Sequence, residues 1–336
     1  MHNPTGVSVI VCCYNSACRL PETIRHLARQ QVPAHISWEI NIINNASTDN
    51  TVQVAAEEWN KFNLPGVNFN IIDQSIPGLI NARKKGVDCA SFEYLLFCDD
   101  DNWLSPGYIS AAFTIMDASP GIGVLGGCGE TVAEQPARMD EKQLSQLNAN
   151  GPQTWAETDH WVYGAGTLLR KSIFTRLVNN GWQQITAGRT GTSLLSGDDV
   201  EICFMFYLSG YNITADNRLT FSHFIPLQRQ TPATISGMAF WLSYSYYLQY
   251  SYLIIINKES RSLNKISWEL LKSHGKSWIK TIFQMAVQKL KSRNSPSAEQ
   301  KNVLLRNYGM ICSILQNRKK VIRHHRHILD VLKKPV

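Results

Sequence analysis

Short apolar runs alternate with helical patterns over the first hundred residues. Val7-Ser8-Val9-Ile10-Val11-Cys12-Cys13 is nearly all apolar, as expected of a parallel strand buried on both faces. Further strands are predicted over 39–43, 67–72 and 94–98. In the intervals, Pro21-Glu22-Thr23-Ile24 opens a helix with proline in its first turn. Ser47-Thr48-Asp49 is expected to cap a second helix running through Val52, Ala55, Ala56 and Trp59. A third is predicted over 78–87. Repeated strand–helix units imply an α/β fold: a doubly wound, mostly parallel sheet with right-handed crossovers. Such sheets bind ligands at the carboxyl ends of their strands. Tyr14-Asn15, Asn44-Asn45 and Asp99-Asp100-Asp101 all fall at those ends.

The pattern then changes. Residues 130–158 are polar and irregular and read as loops over the site. Gly164-Ala165-Gly166 leads into a short strand over 167–169. A loop is expected at 188–193, followed by Gly197-Asp198-Asp199-Val200-Glu201 at the start of an apolar helix over 202–208, with Gly210 as its C-cap. A last strand is expected over 211–219, ending before His223. From Gln230 to Asn257 no residue is charged. The stretch 238–256 is long enough to suggest a membrane span, but Ser243, Ser245, Gln249, Ser251 and the tyrosines suit an interfacial or packed helix better. Residues 268–290 and 303–332 show helical periodicity with Lys and Arg on the other face. The expected organisation is a catalytic domain over 1–230 and a basic helical appendage over 231–336.

Charge sharpens that division. The chain of 336 residues has a net charge of +7, yet residues 1–230 carry 15 Lys and Arg against 22 Asp and Glu, and residues 231–336 carry 18 against 4. A basic tail suits phosphates, nucleic acid or an anionic membrane surface. Eight cysteines show neither CxxC pairs nor the spacing of a disulfide framework. With no signal-like segment at the start, a reducing cytoplasm is the expected setting.

Asp99-Asp100-Asp101 follows the strand Tyr94-Leu95-Leu96-Phe97-Cys98. Clustered carboxylates at the end of a core strand repel one another unless a cation neutralises them. Mg²⁺ or Mn²⁺ takes such oxygen ligands and shares them with substrate phosphates. An acidic turn in solvent is the alternative for three acids alone.

In order along residues 5–230, these pieces resemble the inverting glycosyltransferases of family 2. Val7–Asn15 looks like the family's opening strand and Tyr-Asn turn, and Ile43–Thr51 like its second signature. Gly78-Leu79-Ile80-Asn81-Ala82-Arg83 resembles the segment whose arginine lies near the nucleotide. Asp99-Asp100-Asp101 stands in the place of the DXD motif, and Gly197–Glu201 resembles the motif that supplies the catalytic base. The resemblance implies a GT-A fold binding a nucleotide-sugar donor, UDP-linked, with Mn²⁺ or Mg²⁺. It implies Asp101 on the metal, Asp99 on the metal's water or the ribose, Asp100 beside them, and Asp199 as general base, with Asp198 as the helix cap. His223 is a candidate third metal ligand. Tyr14, Asn15, Asn45 and Arg83 would line the nucleotide, and Gly164, Ala165 and Gly166 would let backbone approach the donor sugar. Arg229 is a further diphosphate candidate, and Trp155, Trp161 and Trp182 would stack on acceptor sugar or fill core. The family often carries an acid where Asn45 stands, which leaves the base less fixed.

The implied activity is sugar transfer to a glycan, lipid-linked or protein hydroxyl in polysaccharide or glycoconjugate synthesis, with no nucleic-acid partner. A sugar nucleotidyltransferase would need a Gly-rich loop after the first strand, where Tyr14-Asn15-Ser16-Ala17 stands instead. A non-catalytic membrane or nucleic-acid adaptor would explain the basic tail but not carboxylates at two separate element ends. The tail is expected to dock on an anionic membrane through the aromatic stretch 240–252 and two basic clusters: Lys272, Lys276, Lys280, Lys289, Lys291 and Arg293, then Arg318-Lys319-Lys320 with Arg323 and Arg326.

Overall fold

The computed structural model describes residues 3–145, 150–186, 188, 195–292 and 295–334. The expected loop at 188–193 and Arg293 therefore lie mostly or wholly outside the described residues. The chain forms two compact units, Met1–Asn180 with Ile202–Gln230, and Gly181–Glu201 with Thr231–Pro335.

The first unit is built on an eight-stranded sheet. β1 (Val7–Cys13), β2 (Trp38–Asn44), β3 (Asn68–Asp73) and β4 (Tyr94–Asp99) run parallel in the order β3-β2-β1-β4. Between them lie α1 (Leu20–Ala28), α2 (Thr51–Asn60) and α3 (Leu79–Cys89). β1 and β4 are almost fully buried, as unbroken apolar strands in a covered sheet must be. Inside this half, the buried Glu39 carboxylate accepts hydrogen bonds from Ser8 Oγ at 2.7 Å and from the Ser91 amide at 2.6 Å. It thereby ties the amino ends of β1 and β2 to the segment before β4. Because the order turns back at β1, the crevice between the carboxyl ends of β1 and β4 is the topological switch point. Registers bring Cys12 level with Asp99 and Cys13 level with Asn44 at that edge.

The other half of the sheet is mixed. β5 (Asn102–Leu104), α4 (Tyr108–Ala118) and β6 (Ile122–Ala133) precede the short α5 (Glu141–Ser145) and α6 (Ala156–Asp159). β7 (Thr167–Arg170) and α7 (Lys171–Asn179) follow, then α8 (Asp198–Leu208) and β8 (Asn212–Ile225). β7 pairs antiparallel with β4 and β6, β8 runs parallel to β6, and β5 pairs antiparallel with β8. Two expectations change here. The last strand does not stop at 219 but continues through His223 to Ile225, because β5 and β6 both pair with that stretch. The interval over 130–158 begins with the end of β6, a strand whose glycines hide any alternation. Gly127 is required there, since a Cβ would meet the Tyr108 hydroxyl and the Leu219 carbonyl. A third correction is local: α2 has Asn50 at its N-cap with no side-chain cap bond, while Asp49 accepts from the Thr51 amide at 3.1 Å.

The second unit is helical: α9 (Pro232–Leu248), α10 (Tyr250–Ile256), α11 (Leu263–Ser292) and α12 (Ala298–Leu332). The Thr231 side chain caps α9, and a Ser297–Gln300 capping box starts α12. α9 crosses α12 so closely that a Cβ at Gly309 would strike the Phe240 backbone. Among the described residues no helix is long and apolar enough to cross a membrane. Within 240–252, Tyr247, Leu248 and Tyr252 are buried core, and Lys320 of the second basic cluster donates its ammonium to the Ile185 carbonyl at 2.9 Å. Of the aromatic stretch expected to lie on a membrane, Tyr247 and Tyr252 are thus spent on the core, Phe240, Trp241, Tyr244 and Tyr250 are half-buried, and Leu242 and Tyr246 are exposed.

Candidate functional site

Three turns meet at the carboxyl edge of the parallel strands. The turn after β1 is pinned to the turn after β2. Asn15, in the left-handed region with φ 50°, donates its amide to Ser47 Oγ at 3.1 Å, and its side-chain oxygen accepts from the Thr48 amide at 2.8 Å. The Ser16 amide donates to Thr51 Oγ1 at 2.8 Å and the Ala17 amide to Asp49 at 3.1 Å. The second signature is thus a brace for the first. Asn15 belongs to that brace, while Tyr14 projects into solvent.

Asn45 is buried and organises the turn after β3. Its amide donates to the Gln74 and Ile76 carbonyls at 3.1 and 2.7 Å, and its oxygen accepts from the Gly78 amide at 2.8 Å. Arg83, four residues into α3, is not a surface charge: it is buried, with its guanidinium 4.9 Å from the centre of the Phe97 ring.

The three acids after β4 have three different environments. Asp99 receives no side-chain donor within the turn, its amide instead donating to Asn102 Oδ1 at 3.1 Å. Asp100 is held by the Arg19 guanidinium at 2.5 Å and by the Ser16 hydroxyl, so its Oδ2 faces α1. Asp101 is buried, with Arg229 at 3.2 Å and His223 Nε2 at 3.5 Å. Burial, with Asp100 and Asp99 nearby, pushes its carboxyl up to about 7, against the pull of Arg229 and Arg19. His223 arrives there because Asn102 of β5 pairs with it across the sheet, and the Phe224 amide donates to the Asp101 carbonyl at 2.9 Å. Cys98 and Cys13 underneath have thiols raised well above their ordinary value, first by burial and then by these acids. Both are packing groups, not nucleophiles.

This donor set suits a hard divalent cation. A carboxyl whose pKa is raised by burial first and by its acidic neighbours next, with an imidazole against it, is favoured in its charged form by a nearby cation. Among the described residues no group of three or more His, Cys, Asp or Glu side chains is placed to hold a metal ion by itself; an ion at Asp101 would need further ligands from substrate phosphate or water.

Gly164, Ala165 and Gly166 lie buried before β7. Gly166, with φ +67°, is needed where it stands: a Cβ would meet the Tyr108 hydroxyl and the Phe221 ring, and its carbonyl accepts from that hydroxyl. The close approach at this glycine is made to protein. Trp155 and Trp161 pack against each other with ring centres 5.3 Å apart.

The remaining candidates belong to the second unit. Asp198 and Asp199 open α8, with Asp198 buried and Asp199 half-buried, its Oδ1 accepting from the Val200 amide at 2.9 Å. Glu201 is fully buried and structural. It accepts from the Ile185 and Thr186 amides at 2.8 Å each, from the Thr186 hydroxyl, and from the Tyr252 hydroxyl at 2.8 Å. Trp182, donating to that same tyrosine at 3.0 Å, is core.

One contributor escapes the reading of the sequence: Arg19 meets Asp100 from 81 positions away and carries no local pattern that marks it. Glu201, the last residue of the 197–201 motif, takes the structural of its two expected roles by anchoring residues 185 and 186.

The family model for glycosyl transferase family 2 matches residues 8–178, which is half of the chain. Poly-beta-1,6-N-acetyl-D-glucosamine synthase of Staphylococcus epidermidis is 28% identical over 222 residues, covering 63% of this chain and 48% of that protein. The poly(ribitol-phosphate) beta-N-acetylglucosaminyltransferase TarS of Staphylococcus aureus is 29% identical over 110 residues, 33% of this chain and 18% of that one. The matches thus span less than half the length of these relatives. In fold, the chain is similar to the mannosyltransferase PcManGT of Pyrobaculum calidifontis, solved with GDP-Man and Mn²⁺: TM-score 0.54 and 16% identity, over 99% of this chain and 87% of that one. The switch-point crevice with its acids, the GT-A-type sheet around it and the family match agree, and the chain belongs to glycosyl transferase family 2.

Proposed function

We propose that this chain is a metal-dependent inverting glycosyltransferase. It moves a sugar from a nucleotide-sugar, UDP-linked, to a hydroxyl of a glycan, lipid-linked or protein acceptor on the cytoplasmic side. The observation that carries the reading is Asp101, a buried carboxyl crowded by two further acids and flanked by His223 and Arg229 at the switch point. Named relatives support the donor class, since two of them are N-acetylglucosamine enzymes and the fold relative was solved with a nucleotide-sugar and Mn²⁺.

Asp99, Asp101 and His223 would hold Mn²⁺ or Mg²⁺. When bound, the ion supplies positive charge that neutralises the leaving diphosphate. Arg229 stands beside Asp101 and adds a fixed cation for the same phosphates. Tyr14, with its exposed ring, and Arg83, with its buried positive charge, would line the nucleotide. Asp100, turned to Arg19, holds the acidic turn in shape. Asp199 is the proposed general base. It accepts the proton of the acceptor hydroxyl as that oxygen bonds to the anomeric carbon. The carbon–oxygen bond to the diphosphate breaks on the opposite face, the nucleoside diphosphate departs with the bonding pair, and the configuration inverts.

A panel of nucleotide-sugars, each incubated with Mn²⁺ and read for nucleoside diphosphate release with and without chelator, tests the reading. Release from one donor, abolished by chelation and restored by Mn²⁺ or Mg²⁺, is expected. Full turnover in excess chelator would exclude the metal role. A product with retained anomeric configuration by NMR would exclude direct displacement.

A further inference from the structure

The inner face of α11 is settled by its neighbours in the second unit. Leu263, Ile266, Ser267 and Thr281 are buried, the Ser267 hydroxyl is 2.7 Å from Tyr247 Oη, and His274 and Ser277 bond Asn307 of α12 at 2.8 and 3.0 Å. The opposite face is unlike an ordinary solvated one. Trp268, Ile279, Ile282, Phe283 and Leu290 all stand exposed, Ile279 by 64%, Phe283 by 68% and Leu290 by 85%. At 3.6 residues per turn they fall within an arc of about 100° and extend about 33 Å along the helix. Lysines surround this strip: Lys272 lies within it, Lys276, Lys280 and Lys291 border one side, and Lys289 the other, all exposed. The one acid of the helix, Glu269, is tied to Arg261 at 2.8 Å. Arg318 sits over the Trp268 ring at 4.7 Å and adds a cation to its rim.

We infer that α11 is a membrane-docking helix that lies flat in the headgroup region of an anionic bilayer, its apolar strip inserted and its lysines on lipid phosphates. Charge selects this occupant. An amphipathic helix with large apolar side chains on one stripe and lysines flanking it is built for the interface of anionic lipid. A second copy pairing through the same face would set lysines against lysines with no acid to offset them. The surface is distinct from the aromatic stretch of α9 and α10, in which Tyr247 and Tyr252 are core. The inference uses none of the residues of the transferase site and stands whatever donor that site takes.

Flotation of the full chain with vesicles of phosphatidylcholine alone, and of phosphatidylcholine with a quarter phosphatidylglycerol, tests it. Binding is expected to the anionic vesicles and to weaken as salt rises through the range where the Debye length shrinks. Joint replacement Lys272→Gln, Lys276→Gln and Lys280→Gln is expected to weaken it about 100-fold, each lysine near the surface being worth about fivefold. The pair Ile279→Asp and Phe283→Asp is expected to abolish it, with the melting temperature unchanged because both side chains are already in solvent. No flotation of the wild-type chain at low salt would overturn the inference. So would flotation that the Ile279 and Phe283 changes leave intact, or a dimer in sedimentation that those same changes dissociate.

Discussion

Adjacent identical residues can be given different work by their surroundings, and the three acids after β4 are the clearest instance. Asp100 spends its charge on Arg19 and Ser16, whereas the carboxyl of Asp101 is pushed upward, first by burial and then by its acidic neighbours. Asp101→Asn is therefore expected to weaken both donor binding and turnover, measurable as a rise in the donor's Kd by isothermal titration in the presence of Mn²⁺. Asp199→Asn is expected to keep donor affinity and fold while turnover drops by about 10²–10⁴, the usual contribution of a positioned base; steady-state rates beside donor titration separate the two effects. Glu201 lies two residues from that base and has a different duty. Four donors converge on its two oxygens, and a glutamine there would turn an NH₂ group toward amides that also donate. Glu201→Gln is expected to cost about 2–3 kcal/mol, read as a lowered urea midpoint with unchanged slope.

At the scale of elements, backbone approach sets several glycines. α9 and α12 meet where Gly309 leaves no room above the Phe240 backbone. Gly309→Leu is expected to force the helices apart and destabilise the second unit by about 1–3 kcal/mol, as overpacking does, lowering its melting temperature. Strand pairing has comparable authority. β5 is only three residues long, yet its pairing with β8 carries His223 to the acids. Three residues are too few to show alternation, so nothing in the sequence of β5 announces a strand. β6 is hidden for another reason: its glycines at 126 and 127 make room for Gln153, Val162 and Tyr108, and glycine carries no hydrophobic signal. The long parallel strands were legible because burial on both faces demands unbroken apolar runs, and β1 matches its expected bounds residue for residue.

At the scale of the whole molecule, the two units are stitched from distant stretches. Residues 181–201 join the helices beyond 231, and α12 holds them by side-chain N–H donors on backbone carbonyls: His327 Nε2 on Gly181 at 2.8 Å, His324 Nε2 on Gln183 at 2.8 Å and Lys320 Nζ on Ile185 at 2.9 Å. Burial lowers His324 to about 4 from an ordinary value near 6.5. The unfolded chain then binds a proton that the folded chain refuses between those values. Stability is accordingly unaffected above about pH 6.5 and falls as pH drops toward 4, by about 3 kcal/mol at the limit. Denaturant titrations across that window are expected to show the loss, and His324→Gln, which cannot titrate, to remove its share.

Much of this protein was determined by its sequence alone. The parallel half of the sheet, the placing of three turns at its carboxyl edge, the acid cluster there and the basic helices at the end all follow from local patterns. Burial imposes a period on apolar residues, and backbone geometry puts turns at strand ends. What only the tertiary structure decided is how the turn and helix residues are used. Asn45 and Asn15 brace turns, Arg83 is buried beside Phe97, Asp100 belongs to Arg19 and His223 to Asp101. Tyr247 and Tyr252 of the tail's aromatic stretch are core, while an apolar strip on α11 faces out. None of these has a local cause. Each is set by which residue, distant along the chain, the packing brings within hydrogen-bond or van der Waals reach, and no periodicity encodes that distance.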